Sequence, residues 1–344
     1  MQRGAARLRH RRRVLTLACL AGGAVAILWL VLRVGAPGIA VGLRAVGWRG
    51  VVAVSGYHLI ATVLTGLAWW NLRRSGSPRV YVWGRWLRDA GSELLPLSQI
   101  GGYALGTRVP IIAGEAPSAV LGSVVVDAAL EFAAEVTFVA LGAVLSLRLS
   151  NAATLAGPAL IWIVPASLAA GAFIVLQARG HDLLSVAARR LDGTWFGPPL
   201  TRAVVAHAQL RRIYRRKSRL CQSAGLHFTA WFVAGTEAWL ILRLMGARYD
   251  LATVFVLESL VFAARSLAFM VPGAAGVQEG AYVLLGTALG IPPQTALGLS
   301  LVKRARDLLL GSGALASWHL LESARLRRAR ASEMKGEPET EQSG

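Results

Sequence analysis

Charge is scarce in this sequence, and acidic charge is scarcest. Only 16% of its 344 residues are charged, against roughly a quarter in a soluble domain. Asp and Glu number 18 against 37 Lys and Arg, a formal net charge of +19. Lysine itself is confined to Lys217, Lys303 and Lys335. The two cysteines, Cys19 and Cys221, stand far apart, one in an apolar run and one beside a basic stretch. That excludes a disulfide scaffold and leaves no metal-ligand spacing. Several signatures are missing: G-x-x-x-x-G-K-[ST], H-E-x-x-H, C-x-x-C and G-x-S-x-G. A nucleotide-driven pump, a zinc hydrolase and a serine-elbow hydrolase therefore have no local support. No cofactor or metal is expected, and no soluble stretch is long enough for a transferase site.

What is present is oil. Hydrophobic residues make up 55% of the chain, and mean hydropathy is +0.51. Apolar bulk with few, mostly basic charges is the composition of a helical membrane protein. The basic residues cluster between long apolar runs, so nucleic acid is a poor partner for them. The fold expected is all-α and polytopic.

Residues 1–13 form a basic N-terminus with Arg3, Arg7, Arg9, Arg11, Arg12 and Arg13. The apolar run 14–34 follows, long enough to span a bilayer core, which takes about 20 residues. The A-x-A tripeptide at 24–26 lies inside the run, which reads as an uncleaved first span rather than a signal peptide. Further runs cover 51–70, 119–147, 154–178, 226–245, 251–271 and about 294–321, and segments 94–112 and 274–290 are apolar but broken by Pro and Gly. Arginines crowd the linker 71–93, the long loop 179–224 and the segment after 321, and basic loops belong in the cytoplasm. With 94–112 dipping in and out, parity then gives about eight spans, 274–290 being a crossing or half-crossing. If it is re-entrant, the C-terminus moves outside, against its arginines. The expected division is the N-terminus 1–13, a membrane domain 14–322 and a polar tail 323–344. Within 179–224, residues 200–220 read either as an amphipathic helix on anionic lipid or as a solvated connector. Trp69, Trp70, Trp83 and Trp86 suggest an interfacial belt.

Three features could carry chemistry. In SVVVDAALEFAAEVTF, Asp127, Glu131 and Glu135 recur every four residues and share one helix face. Each carboxylate at mid-membrane costs about 2.5–3.5 kcal/mol on insertion scales. Such a stripe is a polar path for a headgroup or protons, or a structural seam of ion pairs. The expected counter-charges are Lys303, Arg304 and Arg306, with Asp307, in SLVKRARDLLL. The second feature is MVPGAAGVQEG, where Pro272, Gly273, Gly276 and Gly280 interrupt a helix beside Gln278 and Glu279. A broken helix in a membrane exposes N–H groups suited to an anionic group, though Gly276 and Gly280 equally suit close helix packing. Glu279 would compete for that helix end and pair with Arg265 or a proton. The third is PLSQIGGYALG, with Gln99, Gly101 and Gly102, followed by Arg108. Each broken segment precedes a helix bearing intramembrane charges, which suggests an inverted repeat with the site between its halves. Glu258 and Arg265 are seven residues apart and read as a simple ion pair. Glu237 is a lone carboxylate, and His58 a helix contact.

SVVVDAALEFAAEVTF after LLPLSQIGG, and VLESLVFAARSLAFMVPGAAGVQEGAYVLLG with KRARDLLL, resemble the flippase-like membrane family that includes the transmembrane part of lysylphosphatidylglycerol synthases. Within it, the chain is similar to the hopanoid-biosynthesis-associated membrane proteins. The likeness spans about residues 10–325. It implies a protein of the bacterial inner membrane that moves or handles lipids. The synthases carry an extra aminoacyl-transfer domain, and none is expected here. The function expected is lipid translocation or export, passive or proton-coupled. Arg265 and 272–280 would hold the headgroup, and the Asp127 stripe, countered by Arg304 and Arg306, would form the path. The alternatives are a membrane-embedded enzyme using Asp127 or Glu279 as base, or a scaffold for lipid-biosynthesis enzymes. Expected partners are a membrane lipid and anionic lipids at 179–224.

Overall fold

The structure is a computed structural model that describes residues 31–94, 98–149, 167–177, 210–268 and 271–335, with positions 25, 28, 29 and 165 besides. The basic N-terminus, most of the 14–34 run, residues 150–164, most of the 179–224 loop and the end of the tail lie outside the described residues. Among the described residues every regular element is helical. We label those that build the core α1 (Ala36–Arg73), α2 (Pro78–Leu94), α3 (Ser98–Ile112), α4 (Pro117–Ser146), α5 (Lys217–Leu244), α6 (Leu251–Leu267), α7 (Val277–Ala288) and α8 (Pro293–Lys335). A further short apolar helix covers Ser167–Gln177.

Local chemistry sets several ends. Pro117 opens α4 in its first turn, where a missing N–H costs nothing. Asp250 caps α6 by accepting from the Thr253 N–H at 2.8 Å and the Thr253 hydroxyl at 2.6 Å. Arg74 closes α1 in the left-handed region, its N–H on the Trp70 carbonyl at 2.7 Å. Gly47, at φ 58°, kinks α1 in its N-terminal third.

The packing is inside-out relative to a soluble protein. Asp127, Glu237, Glu258 and Glu279 are fully buried, while Leu284 is 73% and Leu308 58% exposed. A bilayer suits that arrangement, since apolar side chains then face hydrocarbon and charges face one another. Helices α1 and α4 are long and apolar enough to cross a membrane. At 12 residues, α7 rises about 18 Å, short of the ~30 Å hydrocarbon core. It is at most the half-crossing of the sequence reading.

Helix α1 packs along α5, α4 against α5 and α6, and α8 against α1, α2 and α7. Helices α2 and α3 form an antiparallel hairpin. A Cβ on Gly91 would stand 2.8 Å from Gly102 Cα, and one on Gly84 would stand 2.9 Å from the Gly106 carbonyl. Glycines at these points let the two backbones touch. An aromatic cluster joins α4, α5 and α6: Phe138 stacks on Trp231 at 5.9 Å, and Trp231 meets Phe262 edge-on at 4.6 Å.

Several sequence expectations change. The basic linker 71–93 is mostly helix α2, and its Arg85 and Arg88 are buried rather than solvated. Carboxylates on α4, 39 to 46 residues away in sequence, draw them inward. Segment 98–112 runs as one helix, its glycines packing rather than breaking it. The 226–245 run begins earlier, at Lys217. Residues 210–214 are helical, and Leu210, Ile213 and Tyr214 pack on Leu72, Val126 and Leu130. Trp69 is no belt residue: it is fully buried and donates to the Ser123 hydroxyl at 3.0 Å.

Candidate functional site

A cavity of about 440 Å3 lies among α1, α2, α4, α5, α6 and α8. Charges of both signs line it, and with the buried charges behind them they fall into three groups.

The first centres on α4. Asp127 accepts from Arg88 at 3.3 Å and from His227 Nε2 at 2.9 Å. Glu131 takes a two-pronged grip from Arg85, at 3.0 and 2.5 Å, and a further bond from Arg88. Planar guanidinium and carboxylate match in this geometry. Arg85 also holds Asp89 at 2.9 Å, and Arg88 lies 4.1 Å over the Tyr103 ring. Glu135, one turn further along, has only the Ser266 hydroxyl among the described residues.

The second lies where α6 gives way to α7. A turn at Pro272–Ala274 carries Gly273 and Ala274 at positive φ, 55° and 48°. A Cβ on Gly273 would stand 2.6 Å from an Arg304 nitrogen and 2.9 Å from a Glu93 oxygen, so glycine admits both side chains. Glu279 accepts the Gly276 N–H at 2.7 Å and Arg304 Nε at 2.8 Å. Arg265 donates to Glu93 and to Gln278, each at 2.5 Å, and Gln278 passes on to Ser300 at 3.0 Å. The third group is on α8. Lys303 bonds Glu258 and, at 2.8 Å, the Tyr282 hydroxyl, which donates to Glu258 at 2.5 Å. Arg306 bonds Glu237, Asp307 at 2.6 Å and His58 at 3.0 Å.

The predicted residues do meet around one polar core, but with other partners. The Asp127 stripe is countered by α2 and α5, not by Lys303, Arg304 and Arg306, because α8 faces α1, α2 and α7. Glu279 pairs with Arg304 rather than Arg265. Glu258 pairs with Lys303 rather than Arg265, which reaches Glu93 instead. At the α7 N-terminus Glu279, from the first turn, takes the Gly276 N–H and sets a negative charge there that disfavours an external anion. Gly280 has open space around it, whereas a Cβ on Gly286 would stand 2.9 Å from Ala296 Cβ, so Gly286 is the glycine that close packing needs. Arg108 lies elsewhere, on Glu322 at 2.7 Å and more than half exposed. Gly101 and Gly102 belong to the α2–α3 hairpin. The side chains of Gln99 and Pro272 lie outside the described residues.

Sequence reasoning missed Arg85, Arg88, Glu93, His227, Ser266 and Tyr282. A signal for them existed. Pro96, Gly114, Pro117, Leu121, Gly122 and Val126 recur as Pro272, Gly290, Pro293, Leu297, Gly298 and Val302, at one offset of 176 residues (Pro96 to Pro272). Gly114 and Gly290 are both at positive φ, and Pro117 and Pro293 each start a long helix. At this offset Asp127 falls on Lys303 and Glu131 on Asp307. Ala68-Trp69-x-x-Leu72-Arg73 likewise recurs as Ala238-Trp239-x-x-Leu242-Arg243 at the ends of α1 and α5. The tertiary contacts follow suit: α4 lies on α6 of the second half, and α8 on α2 of the first. Equivalent helices α1 and α5 run antiparallel, since Tyr57 meets Thr236 while Asn71 meets Ser223. The halves α1–α4 and α5–α8 are therefore inverted relative to each other. The charged core sits between them, with the repeat's central charge reversed.

Among the described residues, His227 Nδ1, Glu93 Oε2, Asp307 Oδ2 and Arg304 Nη2 are buried without a hydrogen-bond partner. Native interiors rarely leave such atoms unmet, so the core is fitted to receive water or a polar group. Chemically it can solvate a charged or hydroxylated group inside a helical bundle whose outer surface is apolar.

A search of curated proteins and of solved structures finds no match. A family model described as the lysylphosphatidylglycerol synthase TM region matches residues 14–313. The match takes in every helix of the inverted repeat except the end of α8, and the function it points to is lipid-related. This chain is a helical membrane protein belonging to the lysylphosphatidylglycerol synthase transmembrane family.

Proposed function

We propose that this protein translocates or exports a lipid across the bacterial inner membrane. One observation carries the reading: a cavity lined by charges of both signs lies between inverted halves whose outer faces are apolar. A headgroup of dipolar or hydroxylated chemistry could exchange its water for these side chains while its tails stay in lipid. Inverted halves supply two related arrangements, one open to each side. The basic segments favour a cytoplasmic N-terminus, about eight spans, and a 179–224 loop docked on anionic lipid. In support of that docking, Arg73, Arg212 and Arg216 line a second cavity of about 200 Å3 over Leu72 and Ile213. A hopanoid as the lipid, and enzymes of lipid synthesis as partners, are inferences from the family likeness alone.

A second reading, modification of a headgroup, has one observation in its favour. His227 presents a free, buried Nδ1 while Asp127 holds its Nε2, an arrangement that suits a general base.

Proteoliposomes separate the two. The full chain, reconstituted with fluorescent phosphatidylglycerol or phosphatidylethanolamine, should speed movement between leaflets, read by quenching from outside. Asp127→Asn and Arg88→Gln, checked for folding by gel filtration, should slow it at least tenfold. Unaccelerated movement of both lipids, with chemical conversion of either on adding cytosolic extract, would replace transport by the enzyme.

A further inference from the structure

We propose that Glu135 is the proton-carrying group of the cavity, and that lipid movement is coupled to a proton through it. This rests on the transport reading above and adds its energy source.

The inference starts from pairing. Asp127, Glu131, Glu237, Glu258, Glu279 and Asp307 each face a guanidinium or ammonium group, and Asp89 and Glu93 face Arg85 and Arg265. Protonating any of them would strand a buried cation, at heavy cost. Glu135 alone among these carboxylates has no cation within ion-pair range among the described residues. It can gain or lose a proton without breaking an ion pair.

The titratable groups that share the cavity with it are already engaged. On α4 itself, Glu131 is taken by Arg85 and Arg88. From α6, Arg265 is committed to Glu93 and Gln278. From α5, His227 is on Asp127, and from α1, His58 is on Glu237. From α3, Tyr103 lies under Arg88. None can take over the charge of Glu135 without giving up a partner.

Its partner among the described residues is suited to both protonation states. The Ser266 hydroxyl lies in hydrogen-bond range of Glu135 Oε1 and also 3.1 Å from the Phe262 carbonyl. With the carboxylate ionised, Ser266 donates to it. With the acid protonated, Ser266 turns its hydrogen to Phe262 and accepts from Glu135. Both states are satisfied by rotation of one hydroxyl. The cavity has room for about fifteen waters at ~30 Å3 each, enough to bring a proton from bulk. The step balances simply: the carboxylate takes a proton from water on one side, and the neutral acid returns it to water on the other.

Dicyclohexylcarbodiimide tests this without reference to transport, because it adds to protonated carboxyls in apolar surroundings and spares ion-paired ones. The full chain in lipid nanodiscs, treated with the reagent and mapped by mass spectrometry, should be modified at Glu135 at least tenfold faster than at Asp127, Glu131 or Glu258. The rate should rise as pH falls, and Glu135→Gln should abolish the adduct. Modification spread evenly over these carboxyls, or missing at Glu135, overturns the proposal. In vesicles of phosphatidylglycerol and phosphatidylethanolamine loaded with a pH dye, wild type should acidify or alkalinise the lumen as labelled lipid moves, and Glu135→Gln and Glu135→Asp should weaken that signal. Lipid movement indifferent to pH and unchanged in Glu135→Gln refutes the coupling and leaves transport standing. Selective labelling of Glu135 with no lipid movement by wild type refutes transport and leaves the proton site.

Discussion

Among the described residues, Lys303 is the only cation facing Glu258, and both are buried beneath α6, α7 and α8. Lys303→Met keeps the apolar stem and removes the charge. Glu258 then retains only the Tyr282 hydroxyl, at 2.5 Å. Breaking a buried pair from one side costs about 3–5 kcal/mol, because the remaining charge is left uncompensated. At about 2 °C per kcal/mol for a long chain, the melting temperature should fall by roughly 6–10 °C. The double variant Lys303→Met, Glu258→Leu removes both charges and should recover at least half the loss, since what remains unmet is one tyrosine hydroxyl, at about 1–3 kcal/mol. Intrinsic tryptophan fluorescence during heating in mild detergent reads all three proteins. A single-variant shift under about 2 °C would match a solvent-exposed pair, worth at most about 1 kcal/mol. That result, or a double variant no better than the single, would refute a charged core between the halves.

Three other substitutions test the scaffold. Gly91→Val pushes a side chain into the Gly102 backbone, which cannot rotate away, so it should destabilise by at least the 1–3 kcal/mol typical of overpacking. Gly280→Ala, with open space at its Cβ, should be neutral or stabilise by up to about 1 kcal/mol, and the same heating assay ranks them. Asp250→Ala removes the α6 cap and should cost about 1 kcal/mol. The Thr253 hydroxyl, with the Thr253 N–H, holds the Asp250 carboxyl below its ordinary value. Its contribution is therefore present above the unfolded value and fades as pH drops through the folded one, so wild type and variant should converge in acid. A gap that widens on acidification would contradict the cap.

The sequence by itself determined the solvent, the secondary structure class and the positions of the unusual charges. Apolar runs near 20 residues need no partner to declare a helix in lipid, because each backbone group is satisfied within its own segment. For the same reason the four-residue rhythm of Asp127, Glu131 and Glu135 was legible: a helix face is a local property. The inverted repeat was also written there, in the recurrence of Pro96 to Val126 as Pro272 to Val302, though its ungapped offset is plain only once both copies are seen to start equivalent helices. Which charge meets which was decided by tertiary structure alone. Arg85 and Arg88 look like loop arginines until α2 turns them toward the carboxylates of α4, and Lys303 looks like a partner for Asp127 until α8 packs on α7 and brings it to Glu258. Electrostatic attraction between buried groups acts at a few ångströms, and those distances are set by how helices cross, a quantity that no local stretch of the chain encodes.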